Sequence, residues 1–307
     1  MAVLDVRPPP SSPAPARRPS RVLLVLAAVS ALALLATAVG LAVDDRSITG
    51  APAWLKPAKF AVSIAIYSAT LAWLLRWVPG HRRAVQVIAW VTALALATEM
   101  VLVAVQVVRG TTSHFNDASG FDAAVFSAMG GLITAVFLAA AAAAVLLFRG
   151  SALPAPMTAA VRGGLLVSLL GMAQAGLMIA NTTGGGNGGH TVGAPDGGPG
   201  LPLTGWSTEY GDLRIGHFIG LHALQLLPLV AWLIRRTWPQ LNDRVVTRLV
   251  VVLTVGMAGL VVGLSWQALR EQPLLAPDAL TLGAGLGWLL LVGGAATLVL
   301  RTDRVPA

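Results

Sequence analysis

Eight runs of about twenty mostly apolar residues pass through this chain, at 22–43, 58–78, 84–108, 121–148, 158–181, 213–235, 245–268 and 278–300. An α-helix rises about 1.5 Å per residue, so roughly twenty such residues cross the hydrocarbon core of a bilayer. The pattern predicts an all-α polytopic membrane protein with eight transmembrane helices. Composition agrees: 56% of the 307 residues are hydrophobic and 11% charged, where a soluble domain carries about a quarter charged residues. The first run is too long for a signal-peptide core of about 7–15 residues, so it reads as a span.

The net charge of +8 would suggest nucleic acid in a soluble chain; here it is sorted by membrane side instead, and no nucleic-acid partner is expected. With the N-terminus inside, 15 Lys and Arg fall in inner segments and six outside, whereas nine acids fall outside and three inside. That satisfies the positive-inside rule and predicts a cell-membrane protein with both termini cytoplasmic. Residues 1–20, rich in Pro, Ser and Ala, are expected to form a disordered cytoplasmic tail. The absence of cysteine removes disulfides, thiolate metal sites and covalent c-type haem.

The two halves echo each other. Leu55–Phe60, LKPAKF, aligns with Leu213–Phe218, LRIGHF, and the spans that they open close on AWLLR and AWLIR. Arg83/Arg244, Gln106/Gln267 and Arg109/Arg270 are all 161 residues apart. We read residues 21–148 and 158–301 as two parallel four-helix repeats, since an even number of helices per unit keeps both in one orientation. The second unit carries a Gly- and Pro-rich extracytoplasmic loop at 182–212. A loop of this length is either a functional lid or disordered. Asn181-Thr182-Thr183 matches a glycosylation sequon where the loop leaves the membrane.

Polar residues inside spans point to function, because burying them is costly. Thr92, Glu99 and Gln106, seven apart, form one stripe on the third span. Glu99 is the sole carboxylate at membrane depth, where desolvation disfavours the anion, so it is expected to carry a proton or donate a hydrogen bond. Gln174 and Asn181 form a second pair near the outer end of the fifth span. In the sixth, His217 and His222 are five apart, about 140° around the helix, so they do not share a face. His217 aligns with Lys59 and reads as a helix-entrance residue beside Arg214. His222 aligns with Ile64, lies deeper beside Gln225, and is the one expected to face Glu99. His114, ending the third span, and His190, in the long loop, are placed to reach the same vestibule; with His222 they are the candidate metal ligands.

The segments WLKPAKFAVSIAIY, SHFN, HTVGAPDGGPGLP and GDLRIGHFIGLHALQ together resemble an uncharacterised bacterial family of multi-pass membrane proteins. The resemblance implies a class and a location rather than a reaction. The architecture alone is similar to haem A synthase, which also has eight helices in two four-helix repeats. Lys59 and Ile64 stand at the first-repeat positions matching His217 and His222, so no ligand is carried over from it.

These readings converge on an integral membrane protein whose extracytoplasmic half holds a polar pocket for a small or lipidic ligand. Glu99 and His222 are its candidate proton-exchanging groups, with Gln106, Gln174, Asn181, Gln225, His114 and Arg214 as ligand-binding candidates. A haem b-binding redox protein, a metal-dependent membrane hydrolase and a structural subunit of a membrane complex stand as alternatives.

Overall fold

The computed structural model describes residues 17–186 and 188–302. Eight helices among them are long and apolar enough to cross a membrane. In chain order they are α1 (Arg21–Val43), α2 (Leu55–Leu74, extended by a 3-10 turn to Trp77), α3 (Arg82–Val108) and α4 (Gly120–Arg149). There follow α5 (Ala155–Ala173) with its short continuation α6 (Ala175–Ala180), then α7 (Arg214–Thr237), α8 (Asp243–Leu269) and α9 (Ala279–Thr302). The fold is thus all-α, and the protein is an integral membrane protein. Most of the expected tail, residues 1–16, lies outside the described residues. Arg17 does not hang free: its backbone N–H donates to Arg76 O at 3.2 Å and its carbonyl accepts from Arg76 Nε at 2.9 Å.

Local chemistry sets the helix ends. Ser119 caps α4, its hydroxyl oxygen accepting from Asp122 N at 3.1 Å, and Asn242 caps α8 by accepting from Val245 N at 3.0 Å. Pro156 stands in the first turn of α5, where its missing N–H costs nothing. Two short antiparallel ladders lie between helices. Ser47–Ile48 (β1) pairs with Ala51–Pro52 (β2), and Thr191–Val192 (β3) pairs with Gly211–Asp212 (β4). The second ladder ties residues 191–192 of the long loop to its C-terminal end, so residues 191–212 close on themselves as a roof.

Helix packing follows small residues. In lipid no hydrophobic force draws helices together, so close approach of backbones does the work. α5 carries Gly163, Gly164 and Gly171; a Cβ on Gly164 would lie 2.9 Å from Ala223 O, and one on Gly171 would lie 2.7 Å from the Gly220 backbone. α5 accordingly packs along α7 and α8, as α1 does along α2 and, less closely, α3. α3 and α4 pair, as do α8 and α9, and α4 joins α5. The largest core cluster, including Leu23, Leu71, Ala93, Ala143 and Leu165, spans α1–α5 and reaches α7 through Leu224. α9 buries no residue; it packs on α8, where the Trp288 indole donates to Gly256 O at 3.0 Å and Thr281 Oγ1 accepts from Arg270 Nη1 at 2.7 Å.

Candidate functional site

The face bearing the long loop gathers most of the polar chemistry. Thr92, Glu99 and Gln106 each show no exposed surface, so the seven-residue stripe on α3 points inward throughout. Gln106 donates from Nε2 to Asp122 Oδ1 at 2.8 Å. That carboxylate also accepts from Arg109 at 3.2 Å and from Ser119 Oγ at 2.5 Å. Neither oxygen of Glu99 finds a hydrogen-bond partner among the described residues, nor do Gln106 Oε1 and Thr92 Oγ1.

The group closest in role to a partner for Glu99 is His114. Its Nε2 stands 4.0 Å from Glu99 Oε1, just beyond hydrogen-bond range. Its Nδ1 lies 3.2 Å from Lys56 Nζ and 3.1 Å from Ser113 Oγ. When Lys56 is an ammonium, which only donates, Nδ1 is the acceptor and the ring proton sits on Nε2, toward Glu99. Phe60, Phe115 and Phe126 surround the ring at centroid distances of 5.8, 6.3 and 6.2 Å. This burial, reinforced by the positive charge of Lys56, holds the imidazole well below its ordinary pKa, so it is neutral. The 58-residue separation of Lys56 and His114 hid the pair from sequence reading; neither a helical period nor a local motif connects them.

His114 also forms part of the floor of a cleft of about 150 Å³ beneath the roof, lined with Thr112, Phe115, Gly186, Gly188 and Asp196 among others. Asp196 organises the roof. Its Oδ1 accepts from Thr191 N at 2.8 Å and lies 3.1 Å from His190 Nδ1. Asn181 anchors the loop from below: Nδ2 donates to Gly189 O at 3.0 Å and Thr191 O at 2.7 Å, while Oδ1 accepts from Thr183 N and Oγ1. With its amide buried and fully bonded, Asn181 is closed to glycosylation in this fold. At the far end Asp212, 1% exposed, accepts from Ser207 N at 2.9 Å and from Arg214 Nε at 2.9 Å.

The two α7 histidines occupy different surroundings. The Nδ1 of His217 is 2.7 Å from Gly171 O. A carbonyl only accepts, so Nδ1 carries a proton. This bond sits where α5 gives way to α6 around Gln174, whose Oε1 accepts from Ser265 Oγ. His217 therefore joins helices, where its alignment with Lys59 suggested only a helix entrance; Lys59 itself donates to Thr204 O at 3.0 Å. His222 packs on Phe218 at 4.4 Å between centroids and lies beside Gln225, whose Nε2 donates to Thr70 Oγ1 at 3.3 Å. The histidine seen beside Glu99 is His114, whereas the contacts of His222 are with Phe218 and Gln225. His114, His190 and His222 each keep separate partners, and among the described residues no group of three or more His, Asp or Glu is arranged to hold a metal ion.

The roof should respond to acid. Burial, then Arg214, lowers the pKa of His190 from 6.5 to about 4, with Asp196 and Asp212 opposing. An opened loop would bind a proton below pH 6.5 that the closed roof refuses until about pH 4. Roof stability is therefore complete above pH 6.5, falls as the pH drops through that window, and levels off below about pH 4. Amide exchange over residues 188–212, corrected for intrinsic rates and compared with an α3 peptide, should accelerate selectively across the window. Constant protection would refute the coupling. No protein-family model, curated protein or solved structure matches this chain.

Proposed function

We propose that this is a cell-membrane protein whose roofed cleft faces the extracytoplasmic side and binds a small polar ligand, with both termini in the cytoplasm. The observation that carries the reading is the position of His114: its ring lies on the cleft floor while Lys56 and Glu99 stand behind it. A ligand in the cleft would meet an imidazole whose hydrogen bonding is already fixed, together with the hydroxyls of Thr112 and Thr191. Hydroxyl and backbone donors of the glycine-rich roof fit a polar occupant better than an acyl chain. The excess of Arg in the opposite loops supports the orientation. The matched helix pairings, α1 on α2 and α3 beside α5 on α7 and α8, support the two-repeat reading.

One experiment tests side and ligand together. The chain lacks cysteine, so Gly186→Cys supplies a single thiol in the cleft. A Cβ there meets only Gly188 O, at 3.6 Å. A membrane-impermeant maleimide should label it in intact cells. Members of one class in a panel of amino acids, polyamines, short carboxylates and sugars should slow labelling. Labelling only after lysis would reverse the orientation, and labelling that no solute slows would defeat the ligand reading.

A further inference from the structure

Glu99 has an environment that a structural carboxyl would not need. A buried Glu that serves packing alone bonds to a neighbouring helix, yet both of its oxygens are unpartnered among the described residues, at zero exposure. The same stripe holds a second unmet acceptor whose orientation is determined. The amide nitrogen of Gln106 must face the Asp122 carboxylate, so its carbonyl oxygen turns away into the interior, also without a donor. Glu99 Oε1, Glu99 Oε2 and Gln106 Oε1 are all acceptors, so what the stripe lacks is donors. Buried water would supply them, and protonation of Glu99 would add one donor of its own. The anion with no donor at either oxygen is the form that this site tolerates least.

The approach to Glu99 is also built. His114 has 27% of its side chain exposed, borders the cleft, and turns Nε2–H toward Glu99 while Nδ1 faces Lys56 Nζ. We propose that Lys56, His114 and Glu99 form a proton relay that connects the cleft face to a carboxyl at membrane depth.

The transfer balances. The Lys56 Nζ–H bond breaks as an Nδ1–H bond forms on His114, and the Nε2–H bond of the same ring breaks as an O–H bond forms on Glu99. The ring changes tautomer and carries no net charge before or after. An ammonium and a carboxylate become an amine and a carboxylic acid, and Lys56, whose side chain is partly exposed, then regains a proton from solvent water. A small ring rotation closes the 4.0 Å gap. The other ionisable groups in electrostatic reach are Lys59 on α2, Arg214 and His217 on α7, and His190 and Asp196 in the roof; none of them stands between His114 and Glu99. The relay shares the cleft with the ligand reading but needs no ligand, so each can fail without the other.

Infrared spectroscopy of the full chain in lipid vesicles tests it. At neutral pH a protonated-carboxyl C=O band should be present, absent from Glu99→Gln and shifted by 13C-glutamate. The isotope identifies Glu99 even if Glu99→Gln does not fold, since the other two glutamates, Glu209 and Glu271, lie in loops. Transfer to D2O should shift the band promptly in the parent protein. His114→Phe keeps an aromatic ring among Phe60, Phe115 and Phe126 and should slow the shift at least tenfold. Absence of the band overturns the proposal, as does a band that never exchanges. Equal exchange in the parent and in His114→Phe overturns it too, because protons would then arrive by another route.

Discussion

Gly220→Leu should leave little folded protein. At this crossing α5 and α7 meet backbone to backbone: a Cβ on Gly220 would lie 2.5 Å from Gly171 Cα, and one on Gly171 would lie 2.7 Å from Gly220 Cα. No flexible side chain is present to give way, so the helices themselves must part. Overpacking in a core costs about 1–3 kcal/mol and occasionally more; a backbone-only contact lies at or above the top of that range. The damage reaches the site as well, since Gly171 O accepts the His217 proton. Purified Gly220→Leu should show a strongly lowered Tm and a poor monodisperse yield. Gly263→Leu, on α8 with nothing within 4 Å of its Cβ, is the matched control and should behave like the parent. Equal melting of the two variants would show that the crossing does not hold α5 to α7.

Asp212→Ala should unfasten the roof while sparing the helices. Asp212 is buried, pairs with Thr191 in the ladder, and accepts from Ser207 N and from Arg214 at Nε and Nη2. Its neighbour Gly211 sits so tightly on α8 that a Cβ there would lie 1.9 Å from Ala268 O. Removing the carboxylate leaves Arg214 with Gly205 O alone and strands the Ser207 amide. Breaking a buried ion pair costs about 3–5 kcal/mol; the residual exposure of the Arg214 side chain, 27%, places this one at the low end. A protease should then cut within 182–212 much faster than in the parent, while circular dichroism of the helices is unchanged. Asp212→Asn, which keeps an acceptor, should fall between. A roof as resistant as the parent's would show that the ladder and glycine contacts suffice without the pair.

The spans were legible because hydropathy over about twenty residues is a strong signal, and their ends differ by at most three residues from the helices observed. The break at Gln174 inside the fifth span was not legible: it depends on a histidine from α7 and a serine from α8 that satisfy polar groups there. The inward stripe on α3 was visible in its seven-residue spacing. Its partner was not, because the His114–Lys56 contact is made by chain segments that share no period. Likewise His222 stood out by lacking a counterpart in the first half, but an unmatched residue says nothing about which helix it faces. Hydropathy also could not separate α4, with ten buried residues, from α9, with none, since core and lipid are equally apolar.

That last difference gives α9 a distinct physical status. Packed on α8 and bonded there through Thr281 at its start and Trp288 near its middle, it presents the rest of its surface to lipid. Mismatch between a helix and the local bilayer is relieved by tilting. Beyond Trp288 the C-terminal half of α9 can therefore swing as bilayer thickness changes, leaving the packing beneath the cleft undisturbed. The protein's lateral outline would then adapt to its host membrane on the α8–α9 side, while the rest of the bundle keeps its shape.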